Sequence, residues 1–141
     1  MMKQVKDMDA PAPRANQQPE YWYDDEEMRW AIQHWATRIG VKVPRVRFQL
    51  MPSQWGTITP SGWLTLDPML LTMPKDPGEF VIVHELVHLL APKHGKLFKL
   101  FMHAYLPDWE EREQRFQKYA KSRELVGRPR SCNHRFTWRI L

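Results

Sequence analysis

The stretch FVIVHELVHLLAPKHGKLF, residues 80–98, contains three histidines within eleven positions. His84 and His88 are four residues apart, so on a helix they project from the same face, one turn from each other. Glu85 follows His84 directly and points about 100° further round the helix axis. This is the spacing of an HExxH motif, in which two histidines bind a metal ion and the glutamate acts as general base toward a water molecule.

The third histidine, His94, lies six residues after His88 and beyond Pro92, which blocks continuation of the helix. A ligand at His94 requires the chain to turn back toward the metal directly after Pro92. Glu110 and Glu111 are alternative third ligands, because a carboxylate on a later helix can complete such a site. A further alternative leaves His94 as an ordinary loop residue. We predict His94 as the third ligand and Zn²⁺ as the metal, since three imidazoles around one ion favour zinc.

The composition predicts one soluble domain. The chain has 141 residues, 43% of them apolar, which is enough for a single hydrophobic core. Its one cysteine, Cys132, excludes an intramolecular disulfide and an all-cysteine zinc site within one chain. The first residues lack the apolar stretch of a signal peptide, and no apolar run approaches the length of a transmembrane helix. These features predict a cytoplasmic protein without membrane contact, and they do not indicate an oligomeric state.

Basic residues are concentrated toward the C-terminus. The net charge is +5, and residues 112–141 hold nine Arg or Lys against Glu113 and Glu124. A basic end of this kind can contact nucleic acid, and Phe136 or Trp138 could stack on bases. A solvated helix face followed by a basic tail explains the same charges without a partner. Nucleic-acid binding through the basic C-terminal region is therefore an alternative function.

Hydrophobic periodicity divides the chain into three parts. Residues 1–20 are rich in Pro, Gln and Asn and are predicted to be disordered. Residues 21–125 form the predicted domain, and residues 126–141 form a basic tail. The predicted elements of the domain are helices over 24–39, 77–91, 96–105 and 108–125, a strand over 43–51, and a hairpin with strands over 55–59 and 63–66.

The helix that carries His84 and His88 has a predicted start of its own. The run Asp76-Pro77-Gly78-Glu79 has the form of a helix N-terminus, with Asp76 as the cap and Pro77 at the first helical position. We therefore predict that the helix begins at Pro77 and ends at Ala91, one residue before Pro92.

Four motifs follow one another over residues 53–109: WG at 55–56 with a hairpin after it, VIVHELVHL at 81–89, a histidine at 94 with an aromatic residue after it, and LPDW at 106–109. In these motifs and their order the chain resembles the YgjP-like metallopeptidase family. The resemblance implies that His84, His88 and His94 are zinc ligands and that Glu85 is the catalytic base. It also implies an α+β fold, a small zincin-type domain. In it a short antiparallel sheet or hairpin packs against the active-site helix and two or three further helices.

The sequence departs from the family pattern at Thr57, where the usual motif is Trp-Gly-Ser, and the chain is short for the family. SprT-like proteases are similar too, through HExxH and the later His-Gly-x-x-Phe at residues 94–98. Many of those proteases act on DNA-bound proteins, which would agree with the basic C-terminus. The Trp-Gly hairpin favours the YgjP-like family over the SprT-like one.

The predicted function is zinc-dependent hydrolysis of peptide bonds in a protein or peptide substrate. Zinc lowers the pKa of its bound water to about 7, and Glu85 accepts the proton of that water and passes it to the leaving amine. The hairpin could offer an edge strand to an extended peptide, with Trp55 and Gly56 as candidate substrate contacts, although a tryptophan is more often a core residue. Tyr105 and His103 are candidate donors to the oxyanion, each more often structural.

Overall fold

The computed structural model describes residues 18–125 and contains four α-helices and one small sheet within them. The basic tail at 126–141 and most of the predicted disordered segment at 1–20 lie outside the described residues. In chain order the elements are α1 (Asp25–Ile39), β1 (Arg45–Phe48), β2 (Gly56–Ile58), β3 (Trp63–Leu66), a 3-10 helix (Pro68–Thr72), α2 (Lys75–Val87), α3 (Lys96–Tyr105) and α4 (Trp109–Leu125).

Helix α1 begins and ends on the signals that predict it. The Asp24 side chain accepts a hydrogen bond from the Glu27 amide, with 3.0 Å between the oxygen and the nitrogen. Gly40 ends the helix in the left-handed conformation at φ 88°, which costs a glycine little. One face of α1 lies in the core, as the three- and four-residue spacing predicts: Met28, Ala31, Ile32, Trp35, Ala36 and Ile39.

The sheet has the strand order β1-β3-β2. The predicted hairpin is confirmed: β2 and β3 are antiparallel, with Gly56 opposite Leu66, and Gly62 makes the turn at φ 102°. Strand β1 covers the middle of its predicted range and runs parallel to β3, with Arg45 opposite Trp63. The sheet is therefore mixed, because the chain between β1 and the hairpin brings β1 to the far side of β3.

Helix α2 starts earlier than predicted, and the prediction of Asp76 as its cap is wrong. The helix begins at Lys75 after Pro74, which makes no side-chain capping bond. Asp76 lies in the first helical turn, and its carboxylate contacts Arg112 and Arg115 of α4. Asp76 therefore binds two guanidinium groups of a distant helix, which the sequence around Asp76 could not reveal. A carboxylate in the first turn of a helix also interacts favourably with the helix dipole.

Helix α2 also ends earlier than predicted, at Val87 and not at Ala91. His88 is its C-cap, and the chain continues in turns up to Ala91, whose amide donates to the Val87 carbonyl over 2.9 Å. The missing donor of Pro92 explains why no further helical bond forms. The early end matters because it leaves the Ala91 carbonyl free for a side chain.

Helix α2 forms the centre of the domain. Every residue from Phe80 to His88 is buried, and α2 packs against α1, α3, α4 and β2. A helix that is apolar on nearly all sides is expected at such a central position. The predicted fold class is confirmed: a small α+β zincin-type domain in which the sheet and three further α-helices surround the histidine-bearing helix. Within the described residues no helix is both long enough and apolar enough to cross a bilayer.

Candidate metal centre

The fold brings His84, His88 and His94 together. His84 and His88 lie one turn apart on α2, and His94 lies in the loop that leads into α3. One ring nitrogen from each residue lies within 4.8 Å of the other two. His84 and His88 are buried and His94 is exposed, so the group is open on the His94 side. No other group of His, Cys, Asp or Glu in residues 18–125 has a comparable arrangement.

The end of α2 fixes the orientation of His88. Its Nδ1 donates to the Ala91 carbonyl oxygen over 3.2 Å, and a carbonyl can only accept. In the neutral imidazole the proton is then on Nδ1, and the lone pair is on Nε2. That Nε2 lies 3.0 Å from Nε2 of His94. A backbone carbonyl that holds the second nitrogen of a histidine is a common support of a metal ligand.

Phe98 of α3 packs against all three imidazoles. Its ring centroid lies 5.0 Å from that of His84, 4.8 Å from that of His88 and 5.0 Å from that of His94. Phe98 itself is buried. The first turn of α3 therefore forms one wall of the histidine group and holds the His94 loop against α2.

Burial favours the neutral form of the three imidazoles. It lowers the pKa of His84 well below its ordinary value, and the neighbouring His94 lowers it further. Burial lowers the pKa of His88 to about 4, and partial desolvation of the His94 ring by its neighbours lowers the pKa of His94, although the residue as a whole is exposed. The neutral imidazole is the form that binds a metal, so protons compete weakly for these side chains near neutral pH.

Glu85 is a buried carboxyl group next to the histidines. Only 3% of the residue is exposed, and this burial raises the pKa of Glu85 to about 7. Its Oε2 lies 3.5 Å from Nδ1 of His84 and accepts no hydrogen bond from the described residues. On its other side Glu85 meets β2, because a Cβ atom added to Gly56 would lie 3.4 Å from Glu85 Cγ. The Glu85 side chain thus fills the space between its own helix, α2, and strand β2.

The donor set fits a zinc ion. Tetrahedral zinc with nitrogen ligands at about 2.0–2.1 Å places those nitrogens about 3.4 Å apart. The His88 and His94 nitrogens are 3.0 Å apart and all three lie within 4.8 Å, so small ring rotations reach that geometry. Three neutral imidazoles leave at least one coordination position for a further ligand.

The alternative third ligands are not part of this group. Glu110 and Glu111 are exposed in the first turn of α4. Among the described residues, the group of side chains that could hold a metal consists of the three histidines and includes neither glutamate. Of the three alternatives for the third position, the geometry favours His94.

Trp55, Tyr105 and His103, which the sequence offered as further candidates, make packing or hydrogen-bond contacts away from the histidine group. Trp55 is 2% exposed and meets Phe116 edge to face at 5.7 Å between centroids, so its side chain belongs to the core. Tyr105 donates to the Ile39 carbonyl over 3.3 Å, and His103 packs edge-on against Trp109. None of these contacts brings the tyrosine or the histidine to the metal centre. Gly56 alone among them lies beside Glu85.

Asp67 is a structural residue that the sequence reading missed. It is fully buried, and its two carboxylate oxygens accept hydrogen bonds from the Met51 and Met69 amides, each over 2.9 Å. The carboxylate thereby ties the loop after β1 to the end of β3. The signal was present in the sequence, since Asp67 followed by Pro68 is a cap followed by proline at the first helical position.

Comparison with known proteins gives a family and a fold. The family model described as YgjP-like, metallopeptidase domain, matches residues 5–119. Among solved structures, the chain is similar to the crystal structure of the metallopeptidase zymogen of Pyrococcus abyssi abylysin, with a TM-score of 0.59 and 24% identity. That match covers 64% of this chain and 92% of the other, and at this identity it supports the fold alone. No curated protein matches the chain.

Proposed function

Because the chain belongs to the YgjP-like metallopeptidase family, we propose that it is a zinc-dependent peptidase that hydrolyses peptide bonds in proteins or peptides through His84, Glu85, His88 and His94. One observation carries the proposal: three imidazoles converge beside a buried carboxyl group whose Oε2 accepts no hydrogen bond from a described residue. This constellation contains the parts that metal-assisted hydrolysis needs, namely ligands, a base and an open side.

In this proposal the three histidines hold the metal and Glu85 moves the proton. A zinc ion supplies Lewis acidity, which polarises a carbonyl group and makes water a stronger acid. The Ala91 carbonyl keeps the His88 ring in position as a ligand. His94 completes the ligand set from the loop before α3, and Phe98 packs against its ring with 5.0 Å between centroids.

Glu85 acts as general base and then as general acid. Its carboxylate accepts the proton of the attacking water and gives it to the amine that leaves. A base is most effective when its pKa lies near the working pH, and burial raises the pKa of Glu85 to about 7. Oε2 accepts no hydrogen bond from a described residue, which supports this role, because a carboxylate oxygen already engaged in a hydrogen bond would be a weaker base.

Strand β2 is the proposed place for the substrate backbone. In the described part of the chain β2 pairs with β3 alone, so its other edge has unpaired amides and carbonyls. An extended peptide could add to that edge as a further strand. Gly56 supports this placement because it brings the β2 backbone next to Glu85, so close that an added Cβ atom would already touch Glu85 Cγ at 3.4 Å. The contact of Gly56 with substrate would then be made by its backbone.

Replacement of the base tests the proposal. We expect Glu85→Gln to bind as much zinc as the wild type and to hydrolyse an unfolded protein such as casein about 1000-fold more slowly. Glu110→Gln, an exposed glutamate outside the histidine group, should leave the rate unchanged and is the matched control. Equal rates for wild type and Glu85→Gln at equal zinc content would overturn the assignment of Glu85. Absence of cleavage by zinc-loaded wild type would overturn the peptidase proposal.

A nucleic-acid-associated activity is the second candidate. It rests on the sequence of residues 126–141, which contain four arginines and no acidic residue. We expect single- or double-stranded DNA binding, if it occurs, to weaken between two salt concentrations and to disappear when residues 126–141 are removed. Affinity that is absent, or that does not respond to salt, would exclude this activity.

A further inference from the structure

We propose that Phe98 is a positioning residue of the metal centre: its ring sets the orientation of the three imidazoles, so that zinc affinity and coordination geometry depend on it. Phe98 has no atom that could bind a metal, so it acts only through His84, His88 and His94. The inference rests on the metal centre of the proposed function and adds a residue to it beyond the ligands and the base. Three features of the structure support it.

The first feature is that one ring contacts all three imidazoles, each in a different orientation. The Phe98 ring is stacked on that of His88, with 26° between the planes and 4.8 Å between the centroids. It meets His84 and His94 edge to face, at interplanar angles of 68° and 82° and with centroids 5.0 Å apart in both pairs. Aromatic rings attract one another in these arrangements. A rotation of any of the three imidazoles would therefore change its contact with Phe98.

The second feature is the sparse support of His94. Nδ1 of His88 has a partner outside the ligand set, the Ala91 carbonyl. Among the described residues, the one hydrogen-bond partner of the His94 side chain is Nε2 of His88. That contact joins two proposed ligand atoms, so it would not persist once both bind a metal. Phe98 is then the residue outside the ligand set, in the described part of the chain, whose ring still contacts His94.

The third feature is the place of Phe98 on α3. Phe98 and Met102 are the two buried residues of this helix, and they lie one turn apart on the same face. Gly95 is the N-cap of α3, and His94 immediately precedes it. The contacts of Phe98 therefore hold the first turn of α3 and, with it, the backbone from which His94 projects. The ring thus acts on His94 both directly and through the helix.

A core residue and a positioning residue make different demands on the side chain at position 98. Packing depends mainly on apolar volume, and leucine would keep most of it. The orientation of the imidazoles depends on a flat aromatic ring, which leucine lacks. Without that ring the imidazoles adopt more conformations, and the cost of ordering them falls on metal binding. Zinc affinity therefore separates the two roles.

The zinc affinity of the full chain tests the proposal without turnover. Competition with a chromophoric chelator gives the dissociation constant, at a temperature well below the unfolding transition of each metal-free protein. We expect Phe98→Leu to weaken zinc binding about tenfold, the loss typical of groups that orient metal ligands. Phe98→Tyr keeps the ring and should restore the affinity to within about twofold of the wild type.

Two variants of the same helix control for lost packing. Phe101→Leu makes the same substitution at a ring that stacks on Tyr105 and, among the described residues, contacts no histidine. Met102→Ala removes a fully buried side chain and should lower the Tm of the metal-free protein at least as much as Phe98→Leu does. Both controls should bind zinc within about twofold of the wild type.

Cobalt(II) in place of zinc gives a second readout, because its visible absorption depends on coordination geometry. The wild type, Phe98→Tyr and both controls should give the same band shape and intensity. Phe98→Leu should give a different spectrum, since its imidazoles are no longer held at the same angles. A residue that only fills the core would leave this spectrum unchanged.

The outcomes distinguish this proposal from the peptidase proposal. Wild-type zinc affinity and an unchanged cobalt spectrum in Phe98→Leu would overturn the role of Phe98. Equal losses of affinity in Phe98→Leu and Met102→Ala, or in Phe98→Leu and Phe98→Tyr, would overturn it too, because the ring itself would then not be what matters. Zinc-loaded wild type that cleaves no casein overturns the peptidase proposal and leaves the zinc result for Phe98 standing. A wild type that binds no zinc overturns both.

Discussion

His88 has a separate partner for each ring nitrogen. Nδ1 donates to the Ala91 carbonyl, and Nε2 faces His94. The spacing of four residues predicted that His84 and His88 share a face. It could not predict the carbonyl, because that group is free only where α2 ends at Val87. The end of α2 before Pro92 therefore has two effects. It lets the chain turn so that His94 reaches the other histidines, and it leaves the Ala91 carbonyl available to orient His88.

Gly56 is a second position with a close contact, because even a single added Cβ atom would touch its neighbours. A Cβ atom there would lie 3.1 Å from Leu66 Cδ2 and 3.4 Å from Glu85 Cγ. We expect Gly56→Ala to lower kcat about tenfold, because the methyl group would fill the space between the β2 backbone and Glu85 and restrict the movement of the Glu85 side chain. The free energy of unfolding should fall by only about 1 kcal/mol, since Leu66 can shift. Casein hydrolysis and urea denaturation measure the two quantities.

The control for stability is Gly95→Ala, where an added Cβ would meet no atom within 4 Å. Its free energy of unfolding should stay within about 0.5 kcal/mol of the wild type. Unchanged kcat in Gly56→Ala would show that Glu85 does not depend on its contact with β2.

At the scale of elements, Arg112 joins α4 to the start of α2. Its side chain is 18% exposed and contacts the carboxylates of Asp76, Glu79 and Asp108 at 3.0–3.4 Å. We expect Arg112→Ala to lower the free energy of unfolding by about 2 kcal/mol, because Asp76, Glu79 and Asp108 all lose the same partly buried guanidinium group. Chemical denaturation measures the loss. Arg112→Lys should recover less than half of it, since an ammonium group cannot reproduce the forked contacts.

Arg115→Ala serves as the comparison for Arg112. Arg115 contacts Asp76 at 2.6 Å, but about half of its side chain is exposed. An exposed pair contributes little to stability, so we expect a loss within about 1 kcal/mol. If the two alanine variants were equally stable, the proposed role of Arg112 in holding α4 against α2 would be wrong.

The ion pair between Glu27 and Lys75 joins α1 to α2 and gives a pH dependence. The hydrogen bond from Lys75, with that from the Tyr23 amide, lowers the pKa of Glu27 below its ordinary value of 4.5. A carboxyl group with a lowered pKa stabilises the fold above its unfolded pKa and loses this effect as the pH falls through its folded pKa. We expect wild type to exceed Glu27→Gln in urea midpoint at pH 7, with a difference that shrinks below about pH 4.5. A difference that grows toward acid pH would contradict this account.

The sequence predicted the positions of the helices and strands better than it predicted which elements pair or pack with one another. Helices α1 and α3 and the hairpin lie where periodicity, caps and turn residues place them. The parallel pairing of β1 with β3 could not be predicted, since each strand shows its alternation but not its neighbour. The start of α2 was misplaced for the same reason: Asp76 reads as a local cap, and its partners Arg112 and Arg115 lie more than thirty residues later.

At the scale of the whole molecule, the metal should stabilise the fold. The ligands come from α2 and from the loop before α3, so zinc would bind them in this arrangement only in the folded state. Zinc at 100 times its dissociation constant adds about 2.7 kcal/mol to the free energy of unfolding. For a domain of this size we expect a Tm about 10 °C higher with zinc than with EDTA.

The matched variant for this effect is His88→Ala, whose Tm should be the same with zinc and with EDTA. Differential scanning fluorimetry measures both proteins under both conditions. A wild-type Tm that does not respond to EDTA would show that no bound metal contributes to stability.

The central claim is that His84, His88 and His94 hold one zinc ion. The sequence predicted the first two with a common motif, whereas the third depended on how the chain turns after Pro92, and Glu110 and Glu111 remained alternatives. In the fold both glutamates are exposed on α4 outside the histidine group. The proposal therefore depends most on His94.

Elemental analysis of zinc in purified wild type, His94→Ala and Glu110→Ala/Glu111→Ala tests this claim most directly. We predict about one zinc per chain in the wild type and in the double glutamate variant, and loss of most of the metal in His94→Ala. Full zinc content in His94→Ala, or loss of zinc in the glutamate variant, would contradict the three-histidine centre.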